Sequence, residues 1–516
     1  MRRYDAVAIG SGINSLVAAA LLAKKGWKVC VLERNSWLGG AIRTAKITEP
    51  GFIHEVFAAW HPLFTGSAAY AELKDDLEAR GLEYLNTDLP TATLFPDGSS
   101  VFLTTSHAKN IRALGRGWER TVTGFLPNAD LAFGMLGTEL WSRDGAKLGL
   151  KALRRLGRRG FAEFTGSMLA SCRDWTAETF ENERVHGLFA PWVLHTGLGP
   201  EAASSGFMAQ VIGVALEQGG MPVPRGGGVK LVEALRGIVG DAGGVCETGR
   251  EVKRVVVELG RATGVRTADG EVIEASRAVL ANVTPQQLYG ELLHGDRTVV
   301  EEARRFRFGR AGMQIHFALS EPPAWQGDRR LGRTAIVHLT PGLDGVSRAV
   351  NEAERGLLPV EATIVVGQPL AVDPSRAPSG SWILWIQLQE IPLQLRGDAA
   401  GELDVGRGTW SKRLREAYAD RIQARIAHHV PNLDRAILKR VVYSPDDIEA
   451  ANGNMVGGDI YSGSCALDQN LLWRPRPGLP GHRTPFKGLW HIGASTHPGP
   501  GLGAGSGTLV AKALLK

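Results

Sequence analysis

Cysteine is scarce. Four occur in 516 residues (Cys30, Cys172, Cys246, Cys465), far apart and without a Cys-x-x-Cys pair. That excludes a zinc knuckle, a thioredoxin-like motif and the redox-active disulfide of glutathione-reductase-like enzymes, and it fits free thiols in a reducing compartment. Long apolar runs are missing too: charge or glycine interrupts each one well before the roughly 20 residues of a membrane span. A strand begins within about four residues of the N-terminus, so no signal peptide is expected. A cytoplasmic protein, soluble or peripherally attached to a membrane, is the expectation. HExxH, paired metal-ligand spacings and a Ser/His/Asp order are all lacking, so no metal is expected. The net charge of +6, from 59 basic and 53 acidic residues, is too dispersed for a nucleic-acid face. It suits an anionic partner such as a dinucleotide, an acidic lipid surface or an acidic substrate.

Glycine, by contrast, is abundant: 65 residues against a usual share of roughly 7%. Glycine beyond the needs of turns marks close approach of backbone to a ligand. The first forty residues give it a context. Tyr4–Ile9 reads as an apolar strand, Gly10-Ser11-Gly12-Ile13-Asn14-Ser15 as a turn, Leu16–Lys25 as a small-residue helix stopped by Gly26, and Lys28–Leu32 as a second strand. Strands without polar alternation belong to a parallel sheet covered on both faces. Gly10 permits the tight turn and Gly12 admits a pyrophosphate, which the following helix N-terminus attracts. Ser15 replaces the third glycine of the pattern, a change one hydroxyl larger than alanine. Glu33, 18 residues past Ser15, is placed to accept from an adenosine ribose and to repel a 2′-phosphate. FAD or NAD is implied, not NADP.

Similar segments recur in the middle and at the end of the chain. Residues 222–228 form a linker into a helix, Val229–Val239. Val252–Glu258 pairs with Ala262–Thr267, and Asp269-Gly270 turns toward Val279–Asn282. Leu489–Ile492 is a strand followed by a glycine-rich stretch and a helix. Strands Gln314–Leu319 and Ile383–Gln389 and a helix near 411–429 lie in a different kind of region. The expected fold is α/β: a discontinuous Rossmann-like FAD-binding domain (1–69, 222–290, 450–516) with an α+β substrate domain inserted in two parts (70–221, 291–449).

Glu33-Arg34, then Leu38-Gly39-Gly40-Ala41 and Arg43-Thr44, resembles the FAD signature of the amine-oxidase and phytoene-desaturase superfamily. The run Leu489-Trp490-His491-Ile492-Gly493-Ala494-Ser495-Thr496-His497-Pro498-Gly499-Pro500-Gly501 is similar to the closing motif of phytoene dehydrogenase-like enzymes. The resemblance implies that Gly39, Gly40 and Arg43 pass beside the FAD phosphates and ribityl chain. It also implies that Gly493, Ala494, Gly501 and Leu502 reach the flavin, that Glu251-Val252 meets adenine, and that Asn452–Asp459 leads into the last strand. Pro500 departs from the usual glycine and removes one N–H donor. The helix after Gly501–Gly507 is expected to aim its N-terminal amides at the flavin N1–O2 edge.

An FAD-dependent dehydrogenase or desaturase acting on a hydrophobic, polyene or isoprenoid, substrate is therefore expected. Electrons would leave to oxygen, a quinone or another diffusible acceptor, since only one dinucleotide turn is present. A saturase, an isomerase or an amine oxidase of the same fold is an alternative. A prenyl-binding escort protein without flavin chemistry is disfavoured by the intact Gly10, Gly12, Glu33 and closing motif. His54 and His61 bracket Phe57 and Trp60 beside the signature and lack a third metal ligand. His54 and His61 are candidates for lining the flavin pocket, His61 and His497 are the candidates for a catalytic role, and His497 could orient substrate or shuttle a proton near its ordinary pKa. Lys147–Arg159 combines leucines with a basic cluster: a solvated face over a buried leucine stripe, or a membrane-surface helix.

Overall fold

The strand Arg2–Ile9 ends in four consecutive buried residues, Ala6 to Ile9, which only a sheet covered on both faces accommodates. In the computed structural model, which describes residues 2–293, 297–479 and 481–516, parallel pairing builds that sheet. Its order is Leu489–Ile492, Val272–Asn282, Arg2–Ile9, Val29–Leu32, Val245–Glu247. Three separate stretches of chain thus meet in one sheet, and Ile9, Leu32, Glu247, Asn282 and Ile492 end side by side. Helices Ile13–Ala23, Val229–Asp241 and Gly505–Leu514 cover one face. The antiparallel hairpin of Val252–Glu258 and Arg261–Thr267 lays Val252, Val255 and Val265 on the other.

Helix Ile13–Ala23 begins three residues earlier than expected and has all 11 residues buried. Its alanines let it lie close to the sheet. The strand expected over Val279–Asn282 is the end of a longer one, Val272–Asn282, whose first part pairs with the hairpin and whose last part pairs with Leu489–Ile492.

A second seven-stranded sheet runs Ile437–Tyr443, Ala311–Leu319, Trp382–Ile391, Ile364–Gly367, Ile336–Leu339, Thr91–Leu94, Ser100–Leu103. Thr91 pairs with Ile336 in parallel, so chain from both sides of the glycine-rich middle segment builds this sheet. One face packs Ile315, Phe317 and Ile386 against Leu414, Ile422 and Ile426 of helix Lys412–His429. Burying each such side chain stabilises by about 1.5–3 kcal/mol. The opposite face, through Ile336, Val365 and Trp385, turns to helices Glu183–Leu194 and Ser205–Gly219. The architecture is α/β: a discontinuous Rossmann-like domain interrupted by the two parts of an α+β domain.

One expectation needs correction. Lys147–Arg159 lies in the helix Arg143–Leu169, which is broken at Gly157 (φ 67°) and buries only Ala152. Leu150 is 44% and Leu153 39% exposed, so no buried leucine stripe exists. The helix rides on the outside, tied down by Lys151 and Arg155 on Asp130. Among the described residues no helix is long and apolar enough to cross a membrane.

Candidate functional site

At the carboxyl ends of the parallel strands the chain makes a cradle shaped by glycine. Gly10 takes φ +82°, and Gly12 bridges to Gly39. Gly40 lies at φ +61°, where a Cβ would sit 3.0 Å from Gly12 Cα. At Gly10 and Gly12 a Cβ would meet Asn282 O (3.3 Å) and Asn282 Nδ2 (3.1 Å), so glycine is what lets these turns close up at the strand ends. No side chain caps helix Ile13–Ala23; Ser15 N–H donates to Gly12 O (2.9 Å), which leaves the Ile13 and Asn14 N–H groups to meet phosphate.

Glu33 is 6% exposed. Its Oε2 accepts from Ser11 N–H (3.0 Å) and Ser11 Oγ–H (2.7 Å), and its Oε1 accepts from Asn35 N–H (2.9 Å). A carboxylate offers about four lone-pair sites, so capacity remains for a ribose hydroxyl. Beside it opens a cleft of about 810 Å³ lined by Arg34, Asn35, Glu251, Gln287, Glu449 and Gly453. A volume of this order suits a cofactor. Val252 starts the neighbouring strand, and Arg43 stacks its guanidinium 3.9 Å from the Trp37 ring centroid. These residues fit an adenine dinucleotide.

The two chain ends meet at the same place. Asn14 Oδ1 accepts from Gly507 N–H (3.0 Å), and a Cβ on Gly507 would stand 2.0 Å from Asn14 O. Ser15, at the third glycine position, is not idle: its Oγ accepts from Asn282 Nδ2 (3.0 Å). Sequence reasoning assigned Asn282 no role, yet it abuts Gly10, Gly12 and Gly493 together. A polar residue at the tip of an otherwise apolar parallel strand was the available signal.

In the closing loop Gly493 N–H donates to Ser506 Oγ (3.0 Å), so that amide is spent on the final helix. Ala494 O accepts from Arg474 Nε (2.9 Å). Gly501 and Leu502 lie just before the final helix, and a Cβ on Gly501 would come 2.8 Å from Leu63 Cδ1. The segment after His61 therefore packs on the closing loop. Ser506 Oγ also contacts His482 Nε2 (3.2 Å), whose Nδ1 contacts Glu139 Oε2 (2.5 Å).

His497 does not titrate near its ordinary value. Burial, reinforced by His482, lowers it to about 4. It is neutral at pH 7, and its Nε2–H donates to Met135 O (3.0 Å). His61 is fully buried and lowered to about 3 by burial and by Arg376. Its Nδ1 contacts Tyr84 Oη (3.0 Å), while Nε2 has no protein partner. His54 contacts Thr48 Oγ1 instead (2.7 Å).

A buried ion cluster absent from the sequence reading braces this region. Arg376, 0% exposed, donates to Glu55 Oε1 (2.9 Å), Asp373 Oδ2 (3.0 Å) and Pro224 O (2.7 Å). The two carboxylates in turn accept from Gly228 N–H and Gly226 N–H (both 2.7 Å). Thr44, in the signature segment, donates to Glu55 and accepts from Val229 N–H. The supposed linker 222–228 is thus clamped. The Asp-x-x-Arg spacing of Asp373 and Arg376 was the only sequence trace of it.

Over this bracing, the signature extends onto the second sheet. Val56 and Ala58 N–H donate to Arg43 O and Ala41 O. Val56 O and Phe57 O accept from His316 Nε2 and Trp385 Nε1 (3.1 Å each). On that face Tyr443, Gln314, Gln387, Val365, His338 and Thr93 stand opposite one another in register. Gln314 Oε1, Gln389 Oε1, His338 Nδ1, Trp60 Nε1 and Trp192 Nε1 are buried without a protein partner. Each unpaired buried group costs about 1–3 kcal/mol, so this face is one that ordered water or a ligand would have to serve.

Comparison with known proteins agrees with this geometry. A family described as flavin containing amine oxidoreductase matches residues 16–344. The chain is 27% identical over 552 residues to pyridine nucleotide-disulfide oxidoreductase domain-containing protein 2 of Mus musculus, covering 98% of this chain and 92% of that one. It is 25% identical over 539 residues to a limonene dehydrogenase component of Castellaniella defragrans (99% and 94% covered). It is 26% identical over 519 residues to a zeta-carotene-forming phytoene desaturase of Myxococcus xanthus (96% and 90% covered). Among solved structures, a putrescine oxidase bound to putrescine superposes with a TM-score of 0.61 at 15% identity, covering 99% of each chain. That likeness speaks to fold. The chain belongs to the flavin containing amine oxidoreductase family and is an FAD-dependent oxidoreductase.

Proposed function

We propose that this protein is a dehydrogenase or desaturase acting on a hydrophobic substrate of polyene or isoprenoid type. FAD held in the cradle supplies the hydride acceptor. Gly10, Gly12, Gly39 and Gly40 give room to the pyrophosphate, and Glu33 holds the ribose. Arg34 and Val252 border the adenine, and Arg43, Gly493, Ala494, Gly501 and Leu502 surround the flavin end. His497 and His61, both neutral, orient groups there and do not act as charged acids.

The observation that carries the reading is a small, partly open apolar cavity of about 40 Å³ lined by Phe133, Met135, Leu136, Met168, Phe207 and Met208. Met135 O is the atom that receives the His497 N–H, so the cavity adjoins the closing loop. Methionine side chains repack easily, which lets a narrow apolar cavity widen around an apolar guest. The relatives named for limonene and phytoene support the same substrate class. Oxygen, a quinone or another diffusible acceptor takes the electrons, because the chain has a single dinucleotide turn.

The test is anaerobic bleaching of the bound flavin by a panel of polyenes, isoprenoids, amines and alkanols. Polyenes or isoprenoids alone are expected to bleach it. Bleaching by amines alone would make the protein an amine oxidase. Silence across the panel would favour a redox-neutral isomerase.

The same reading places the protein in the cytoplasm, in peripheral contact with a membrane. Phe133, which lines the cavity, is 48% exposed, and Trp141 is 76% exposed. Leu150 and Leu153 join them beside Lys147, Lys151 and Arg154. Each basic residue near an anionic surface contributes about 1 kcal/mol. Co-sedimentation with phosphatidylserine vesicles is expected at low salt and reversed at high salt; protein left in the low-salt supernatant contradicts the contact.

A further inference from the structure

We infer that the substrate carries an uncharged oxygen function, a hydroxyl or a carbonyl, seated on the polar face of the second sheet. The inference rests on the hydrophobic-substrate reading and narrows it.

The strand Ala311–Leu319 is buried at every position, yet its two faces differ in chemistry. Met313, Ile315 and Phe317 point to the apolar core. Gln314 and His316 point the other way, as do Gln387 and Gln389 on the neighbouring strand. A face built to receive a plain hydrocarbon would repeat the first pattern. Instead, Gln314 Oε1 and Gln389 Oε1 offer unspent acceptors, and Trp60 and Trp192 offer unspent N–H donors. Gln314 is 1% and Gln389 3% exposed, so bulk water does not serve them.

Charge on the ligand is disfavoured by what surrounds the row. His338 and His195 touch through their Nε2 atoms (3.1 Å), and burial holds both neutral. Arg310, which donates to Gln389 O, is already paired with Glu354 (2.8 Å). Asp459 spends its carboxylate on Gly309, Tyr461 and Gly463 N–H. Tyr461 Oη accepts from Gln389 Nε2 (3.0 Å) and donates to Leu194 O. Glu390 bonds Thr363. None of these is left to neutralise an ammonium or a carboxylate, and an unpaired buried charge is strongly unfavourable. A hydroxyl both donates and accepts, and a carbonyl takes the indole N–H groups.

The test titrates the FAD-loaded full chain, followed by flavin difference absorbance. Its probes are a ten-carbon isoprenoid hydrocarbon and the alcohol, aldehyde, amine and carboxylate of the same skeleton. Without a polar seat the hydrocarbon binds best, because a hydroxyl loses its hydration on entry. The expected result is the reverse: the alcohol or aldehyde tighter by about tenfold, the worth of a well-made hydrogen bond, and the charged forms no better than the hydrocarbon. Gln314→Leu is expected to bring the alcohol to within about twofold of the hydrocarbon. His338→Phe serves as the second variant should the first not fold, with the same expected levelling. A hydrocarbon equal to or tighter than the alcohol in the unmodified chain means the face holds structural water only, and overturns the inference while leaving the hydrophobic-substrate reading intact. Tightest binding by the amine or carboxylate overturns it too. If no probe perturbs the flavin, the hydrophobic-substrate reading fails and the inference falls with it.

Discussion

Arg376→Met is expected to destabilise the chain by about 3–5 kcal/mol, a large share of the roughly 5–15 kcal/mol that holds a typical domain folded. The guanidinium is wholly buried and pairs with two wholly or nearly buried carboxylates, Glu55 and Asp373. Methionine fills much of the volume but strands both negative charges away from water. The loss should be local in origin and wide in effect. Glu55 and Asp373 hold Gly228 and Gly226 N–H, and Thr44 on the signature segment leans on the same carboxylate. FAD retention should therefore fall along with stability. The triple variant Glu55→Gln, Asp373→Asn, Arg376→Met removes the charges together and is expected to recover part of the loss, since replacing a whole buried ion cluster is far cheaper than breaking it. Urea unfolding of FAD-loaded protein measures both. A loss below about 1 kcal/mol in Arg376→Met, the range of an exposed ion pair, would show that the cluster does not brace the site.

That cluster also shows where reading a sequence stops. The dinucleotide turn was legible because its parts are contiguous: an apolar strand, two glycines, a small-residue helix, a second strand and Glu33 lie within forty residues. Even there the helix start was misplaced by three residues. Asn14 and Ser15 look like capping residues, but their side chains are spent elsewhere, on Gly507 and Asn282. The fold class followed from similar segments recurring at both ends and in the middle, separated by unrelated chain. Glu55 lies more than three hundred residues from Asp373 and Arg376, and their meeting depends on how two domains dock. The polar face of the second sheet was hidden for the same reason. Gln314 and Gln387 sit on strands whose presence was expected, but facing depends on cross-strand register, and a slip of one residue reverses it. The His497 pKa failed on burial: a histidine in a glycine-rich loop reads as accessible, and this one is 4% exposed. The leucines of Arg143–Leu169 failed in the opposite sense. Their spacing suggested a buried stripe, whereas Leu150 and Leu153 face outward.

Gly507→Val carries the second large effect. The glycine stands where helices Ile13–Ala23 and Gly505–Leu514 cross, and a Cβ there would meet Asn14 O at 2.0 Å. Backbone oxygen in a fully buried helix cannot step aside as a flexible side chain would, so the helices must part. Forcing extra carbon into such a contact costs about 1–3 kcal/mol and occasionally more. The cost falls where the N-terminal turn and the closing loop face each other across the cofactor cradle. The two helix N-termini would no longer converge, and the Asn14–Gly507 hydrogen bond would break with them.

The dissociation constant for FAD, measured for Gly507→Val beside the unmodified chain, tests most directly whether the two ends of the polypeptide jointly grip one dinucleotide. The expected result is binding weaker by about 10- to 100-fold, with a folded protein by circular dichroism. Unchanged affinity in a folded variant would contradict a joint grip.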